Sequence, residues 1–137
     1  MSELVGGCQC GAVRYEAHGE PQVLACHCRD CQKQTGSAFA LIVVVDEPDF
    51  HLTKGDVSTY VTVSDVGREK FGAFCANCGG RVYNKLEWRP GKLSFRGGTL
   101  DDTSWLKPTV HLWVSRAQPW MVIPEDAVTY ETQPGDG

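Results

Sequence analysis

Seven cysteines fall into three tight groups along a chain of 137 residues. They are Cys8 and Cys10 (C-Q-C), then Cys26, Cys28 and Cys31 (C-H-C-R-D-C), then Cys75 and Cys78 (C-A-N-C). Such spacing suits metal ligation, in which neighbouring thiolates converge on one ion at about 2.3 Å each. It suits disulfides poorly, because close neighbours rarely reach the preferred dihedral and an odd count leaves one thiol over. Seven divides into four plus three. Four thiolates close a structural zinc site, whereas three leave the fourth tetrahedral position open to water or a substrate. That open position is what an enzyme would use.

Cys75-Ala76-Asn77-Cys78-Gly79-Gly80 reads as a zinc knuckle, in which the glycine permits the positive φ that turns backbone N–H groups toward the sulfurs. Cys8-Gln9-Cys10-Gly11 is a second pair with its own glycine. Each pair supplies two ligands, so two distant pairs must meet around one ion, and binding then feeds into folding free energy. The middle group differs. Cys28 and Cys31 span the first turn of an expected short helix, whose N-terminus favours thiolate. Three local ligands suit one ion by themselves. Two alternatives stay open: two of the three join Cys8/Cys10 or Cys75/Cys78, or Cys28 and Cys31 form a C-x-x-C redox dithiol, although no βαβ pattern surrounds them.

The elements that must position these thiols are short, because Gly and Pro punctuate the whole chain. Alternation marks a strand over Ala12–His18, and an apolar, β-branched run marks a buried one over Ser37–Val45. Further strands are expected at Phe50–Thr53, Val57–Val63, Glu69–Phe74, Arg81–Leu86, Lys92–Gly97 and Val110–Ser115. Helical expectation is confined to Arg29–Thr35, ended by Gly36, and to a turn at Asp101–Trp105. Many short strands with turn residues between them predict a mainly β fold. The chain reads as one domain over residues 1–137 with a polar tail, residues 130–137, expected to fray.

Hydrophobic residues make up 42% and charged residues 22%, a globular composition. The formal net charge is −4, with no Lys/Arg cluster, which argues against a nucleic-acid partner. The longest apolar run, Ala38–Val45, falls far short of the roughly 20 residues that cross a bilayer, so no membrane partner is expected. The first residues lack the basic start and apolar stretch of a signal peptide. Reduced thiols then point to the cytoplasm.

The order Gly7-Cys8-x-Cys10-Gly11-Ala12-Val13-Arg14-Tyr15, Cys26-His27-Cys28-x-x-Cys31 with Gly36-Ser37-Ala38-Phe39, and Phe74-Cys75-x-x-Cys78-Gly79 resembles the glutathione-dependent formaldehyde-activating enzyme family. The segment from Pro108 to Ser115 and the pair Pro119-Trp120 are similar to that family's closing strands. The resemblance implies a β-tent of short antiparallel strands with one or two short helices, stabilised by zinc. It implies that Cys8, Cys10, Cys75 and Cys78 hold a structural zinc and that Cys26, Cys28 and Cys31 hold a catalytic zinc. It also implies a carbon–sulfur lyase-type reaction between a thiol such as glutathione and a small aldehyde. No basic pair placed to grip a peptide's carboxylates stands out in the sequence.

Coordination chemistry predicts that the second zinc is held more weakly than the first and can be absent, since one position is left to solvent. His27, between two expected ligands, is either a proton shuttle or an exposed loop residue. His111, in Val110-His-Leu-Trp-Val114, reads as a core histidine. Arg29 and Asp30 flank the three-cysteine group. Trp88, Trp105, Trp113 and Trp120 are expected in the core or at a cleft rim. A zinc-stabilised protein-binding module without catalysis is the alternative function; it needs only the four-ligand site, so Cys26, Cys28 and Cys31 discriminate. The sequence leaves the oligomeric state open.

Overall fold

The computed structural model describes residues 3–64 and 67–133. In chain order its strands are β1 (Leu4–Gly7), β2 (Arg14–Ala17), β3 (Gln22–Cys26), β4 (Ala40–Asp46), β5 (Phe50–Lys54), β6 (Ser58–Val63), β7 (Glu69–Phe74), β8 (Arg81–Leu86), β9 (Lys92–Arg96), β10 (Val110–Leu112) and β11 (Val128–Thr129). One α-helix, α1 (Arg29–Thr35), lies among them, with single 3-10 turns at Glu47–Asp49, Gly97–Thr99 and Val114–Arg116. The expected mainly β architecture is therefore observed. The chain divides into two units: Met1–Gln22 with Val43–Trp105, and Val23–Ile42 with Leu106–Gly137.

In the first unit β2 lies between β1 and β5, both antiparallel to it. Tyr15 and Ala17 of β2 are fully buried while Arg14 and Glu16 face outward, the period-two pattern of a half-covered sheet. Tyr15 stacks on Phe50 at 4.9 Å and meets Phe95 at 5.1 Å, so one aromatic cluster serves as the centre of this core. Its hydroxyl pairs with the Thr99 hydroxyl at 2.6 Å. A side chain at Gly6 would put its Cβ 2.6 Å from the Tyr15 hydroxyl oxygen, which is why β1 carries glycine there. Strands β6 to β9 form an antiparallel meander. The register shifts between Ala73 and Phe74 at the end of β7, the irregularity that leads into Cys75.

In the second unit β10 lies between β3 and β11, and both pairings are parallel, not the antiparallel ones expected. Parallel neighbours need long crossovers rather than hairpins, and here 83 positions separate Cys26 from Thr109 in sequence. Helix α1 follows β3, with Cys28 as its N-cap and Gly36 as its left-handed C-cap.

Two further expectations are corrected. Asp101–Trp105 contains no helix: Asp102 accepts from the Ser104 N–H and hydroxyl, an Asx-type turn. The strand expected over Val110–Ser115 stops at Leu112, because Trp113 takes a left-handed φ of 58° and a 3-10 turn follows. Along residues 130–133 of the polar tail, the N–H groups of Trp113, Val114 and Ser115 donate to the carbonyls of Thr132, Tyr130 and Glu131, and the Trp113 indole N–H donates to the Gln133 side-chain oxygen. Residues 134–137 of that tail lie outside the described residues. No helix among the described residues is long and apolar enough to cross a membrane.

Candidate metal centres

The loop after β1 carries Cys8 and Cys10. The Cys8 N–H donates to the Val13 carbonyl, and the Val13 N–H donates back to the Cys8 sulfur at 3.3 Å. After β7 the chain makes a turn closed by Cys75 N–H to Gly80 carbonyl and Gly79 N–H to Cys75 carbonyl. Gly79 holds φ at 78°, which lets the turn close beneath the sulfurs. These two loops, 65 positions apart, bring all four thiols within 4.8 Å of one another.

The geometry fits a tetrahedral ion. Four ligands at about 2.3 Å define a tetrahedron with edges of about 3.8 Å. The Cys8–Cys10 and Cys10–Cys75 sulfur separations are 3.7 and 3.8 Å. All seven cysteines are free thiols. The Asn77 side-chain amide also donates to the Cys10 sulfur at 3.2 Å. Electrostatics agree. Burial opposes ionisation of Cys8, but the Val13 N–H and the neighbouring thiols outweigh it and bring its pKa down to about 6. The backbone N–H groups of Cys10 and Gly80 lower Cys78. At Cys75 the Cys78 N–H favours the thiolate, yet burial and the Cys8 and Cys10 thiols leave its pKa raised. Backbone donors thus invite negative charge that the bare thiols cannot all carry together, and a cation resolves that conflict.

The second group sits where β3 meets α1. Cys26 ends the strand, Cys28 caps the helix, and Cys31 lies in its first turn, with the Cys31 N–H donating to the Cys28 sulfur at 3.3 Å. The three sulfurs also lie within 4.8 Å of one another. Cys26 and Cys31 are buried and Cys28 is half-buried. The Cys28 and Cys31 thiols, with burial, push the Cys26 pKa strongly upward. Here too one cation would let all three sulfurs share a site, and the donor set is one coordination position short of closure. The sevenfold set divides as four and three, and no thiol of the middle group joins the other pairs.

His27 is not an exposed loop residue; it is fully buried. Its ring packs on Phe39 and stacks on His111 at 5.2 Å, with Nε2 3.0 Å from His111 Nδ1. One ring nitrogen must donate and the other accept, so at least one of these nitrogens is protonated. Burial lowers both pKa values, and the neighbouring His111 lowers that of His27 further. His111 is the buried core histidine expected. None of the four tryptophans is buried, and Trp120 is 68% exposed.

Sequence reasoning missed Gln32, which is buried and fully engaged. Its amide nitrogen donates to the carbonyls of His27 and Arg116 at 2.7 and 3.0 Å. Its oxygen accepts from Gln118 at 2.8 Å and from the Arg29 guanidinium. The only signal available was a polar residue on the helical stripe that begins at Cys28.

Comparison with known proteins agrees on the fold. A crystal structure of a Rhodobacter sphaeroides protein, solved as a structural-genomics target, superposes with a TM-score of 0.58 at 20% identity, covering 71% of this chain and 87% of that one. The family described as "Glutathione-dependent formaldehyde-activating enzyme" matches residues 3–116, a span that includes every cysteine of both groups. With the thiols gathered as that likeness implies, the chain belongs to the glutathione-dependent formaldehyde-activating enzyme family.

Proposed function

We propose that this protein is a zinc-dependent carbon–sulfur lyase-type enzyme that handles a glutathione-like thiol and a small aldehyde adduct. The observation that carries the reading is the separate three-thiol group at the β3–α1 junction. Cys8, Cys10, Cys75 and Cys78 would hold a structural zinc. Cys26, Cys28 and Cys31 would hold a second, more weakly bound zinc at the reacting centre. A zinc ion there supplies Lewis acidity that favours the thiolate form of a substrate thiol at neutral pH. The overall reaction forms or breaks one bond between the thiol sulfur and the aldehyde carbon, with the thiol proton passing to the aldehyde oxygen.

The chain's own residues set the stage for that step. The Cys31 N–H and the helix cap fix the Cys28 sulfur. Gln32 ties α1 to the carbonyls of His27 and Arg116, so the helix bearing Cys31 cannot drift from the segment beside it. Burial of Cys26 and His27 keeps water from one side of the group. Held this way, the reactants gain from orientation as much as from polarity. The whole of residues 1–137 acts as one catalytic domain in this reading, and free thiols fit a cytoplasmic setting.

The test is metal analysis followed by cobalt substitution. Protein never exposed to chelator or oxidant should carry up to two zinc ions per chain. Glutathione should alter the spectrum of cobalt in the more labile site, and formaldehyde with glutathione should be turned over. One tightly held ion, with a cobalt spectrum indifferent to thiols, would overturn this reading in favour of a zinc-stabilised binding module.

A further inference from the structure

The first two turns of α1 present two adjoining stripes. Cys28, Cys31, Gln32 and Thr35 form one at helical spacing, and Arg29, Gln32, Lys33 and Gly36 form the next. The second stripe lines an open cleft of about 290 Å³ whose far wall includes Ser37, Gln118 and Trp120. That volume lies near the lower end of small-ligand sites, about 300–1,000 Å³. Its charge is one-sided: two cations line it and no carboxylate does. Two other clefts, in the first unit, mix Glu or Asp with their basic residues. A cationic cleft is unexpected in a chain of formal net charge −4.

The side chains are arranged for recognition. Arg29 is held by the Gln32 amide oxygen, which orients the guanidinium without neutralising it. Lys33 follows one turn later and is exposed. Trp120 leaves its indole largely in solvent at the rim, a large apolar surface with a single polar edge. Gln32 belongs to both stripes, so the cleft begins where the three-thiol group ends.

We infer that this cleft receives the carboxylate-bearing part of the thiol substrate, and that Arg29 and Lys33 select an anionic thiol peptide over a neutral thiol. The inference rests on the reaction proposed above, for it names what the thiol carries. A tripeptide thiol of glutathione type has two carboxylates and a peptide backbone. The two cations would hold a carboxylate, Trp120 would cover the backbone, and Ser37 and Gln118 would offer polar contacts. The pair that no stretch of sequence advertised as a carboxylate grip is brought together by one helical turn.

S-methylglutathione tests the cleft apart from the metal, because it keeps both carboxylates and has no thiol to ligate. Titrated calorimetrically into the zinc-loaded full-length protein, it should bind. Affinity should fall about threefold to fivefold in Arg29→Gln and in Lys33→Gln, and about tenfold or more in the double variant. Added salt should weaken wild-type binding and barely affect the double variant. Lys33→Gln serves alone if loss of the Arg29–Gln32 contact disturbs folding. Absence of binding to wild type, or an affinity unchanged in the variants that fold, overturns the inference. The two proposals fail separately. A cobalt spectrum altered by glutathione, with variant affinities unchanged, sinks the cleft and keeps the reaction. Variant-sensitive binding of S-methylglutathione, with a cobalt spectrum indifferent to glutathione, sinks the reaction and keeps the preference for an anionic peptide.

Discussion

At the scale of single residues, the two thiol groups should respond differently to the same chemical change. Cys75→Ser removes a ligand from a four-sulfur set that spans two distant loops, so the variant should lose one zinc and most of its resistance to heat. Cys28→Ser removes a ligand from a local set, so it should abolish turnover of glutathione and formaldehyde while one zinc and cooperative melting remain. Zinc content and thermal melts on both variants check this; a soluble Cys75→Ser protein with unchanged zinc and melting would refute it. The histidine pair makes a second prediction. Folded-state pKa values below the ordinary value near 6.5 mean that the unfolded chain takes up protons first as pH falls. The stability these rings provide is therefore present above about pH 6.5 and is lost as pH falls toward their lower folded values. His111→Phe leaves His27 Nε2 without its partner, costing about 1–3 kcal/mol at pH 7. It also removes one of the two protonation sites, so the gap between variant and wild type should narrow between pH 7 and pH 5 in paired denaturant melts. A constant gap would contradict it. The cysteine groups were legible in sequence because ligand spacing is local chemistry. The burial of His27 was not, since a histidine between two ligands looks the same whether β10 covers it or water does.

At the scale of elements, α1 is where sequence and structure agree most closely, and Gln32 shows what the agreement leaves out. Arg29–Thr35 was readable because a short polar run and a terminal glycine are local signals, whereas the cap supplied by Cys28 appears only in the structure. Strand β6 was readable for the same reason, through the period-two alternation of Val57–Val63. By contrast β1 carries two glycines in four residues and reads as loop; it becomes a strand by pairing with β2. The β3 and β11 segments show too little periodicity in five and two residues, and form against β10 in parallel. Pairing supplied by distant chain overrides weak local preference. Gln32 is the tertiary counterpart on α1, a polar side chain whose four contacts reach His27, Arg29, Arg116 and Gln118. Gln32→Leu keeps the volume and deletes every one of these bonds. It should destabilise the protein by about 2–4 kcal/mol, because His27 and Arg116 lose their donor and the side chain is buried. The companion Gln32→Glu keeps the shape and an acceptor, but puts a charged carboxylate where two carbonyls need a donor, and should be at least as damaging. Urea melts of the two variants check the order; a Gln32→Leu protein as stable as wild type would show that the hub is incidental.

At the scale of the whole molecule, metal should act as a cross-link in one unit and as a replaceable group in the other. The four-thiol set lies wholly within Met1–Gln22 and Val43–Trp105, the three-thiol set wholly within Val23–Ile42. An ion on the first set closes a loop of 65 positions between Cys10 and Cys75. Treated like a covalent bridge, that closure removes about 4 kcal/mol of chain entropy from the unfolded state. Against a total stability of about 5–15 kcal/mol for a domain, it is a large share. An ion on the second set closes only the stretch from Cys26 to Cys31, where little entropy is at stake and one position stays open to solvent. Removal should therefore proceed in two stages as chelator is raised. The zinc of the three-thiol set should leave first, with strand signal in far-UV circular dichroism unchanged and the ability to respond to glutathione lost. The zinc of the four-thiol set should leave only with a cooperative loss of that signal, and refolding should require zinc to be returned. Zinc release followed by a chromogenic chelator, alongside circular dichroism on the same sample, reads both stages. If both ions leave together, or if strand signal survives removal of the last one, the aromatic core around Tyr15, Phe50 and Phe95 holds the first unit without its metal, and the division of labour between the two thiol groups fails.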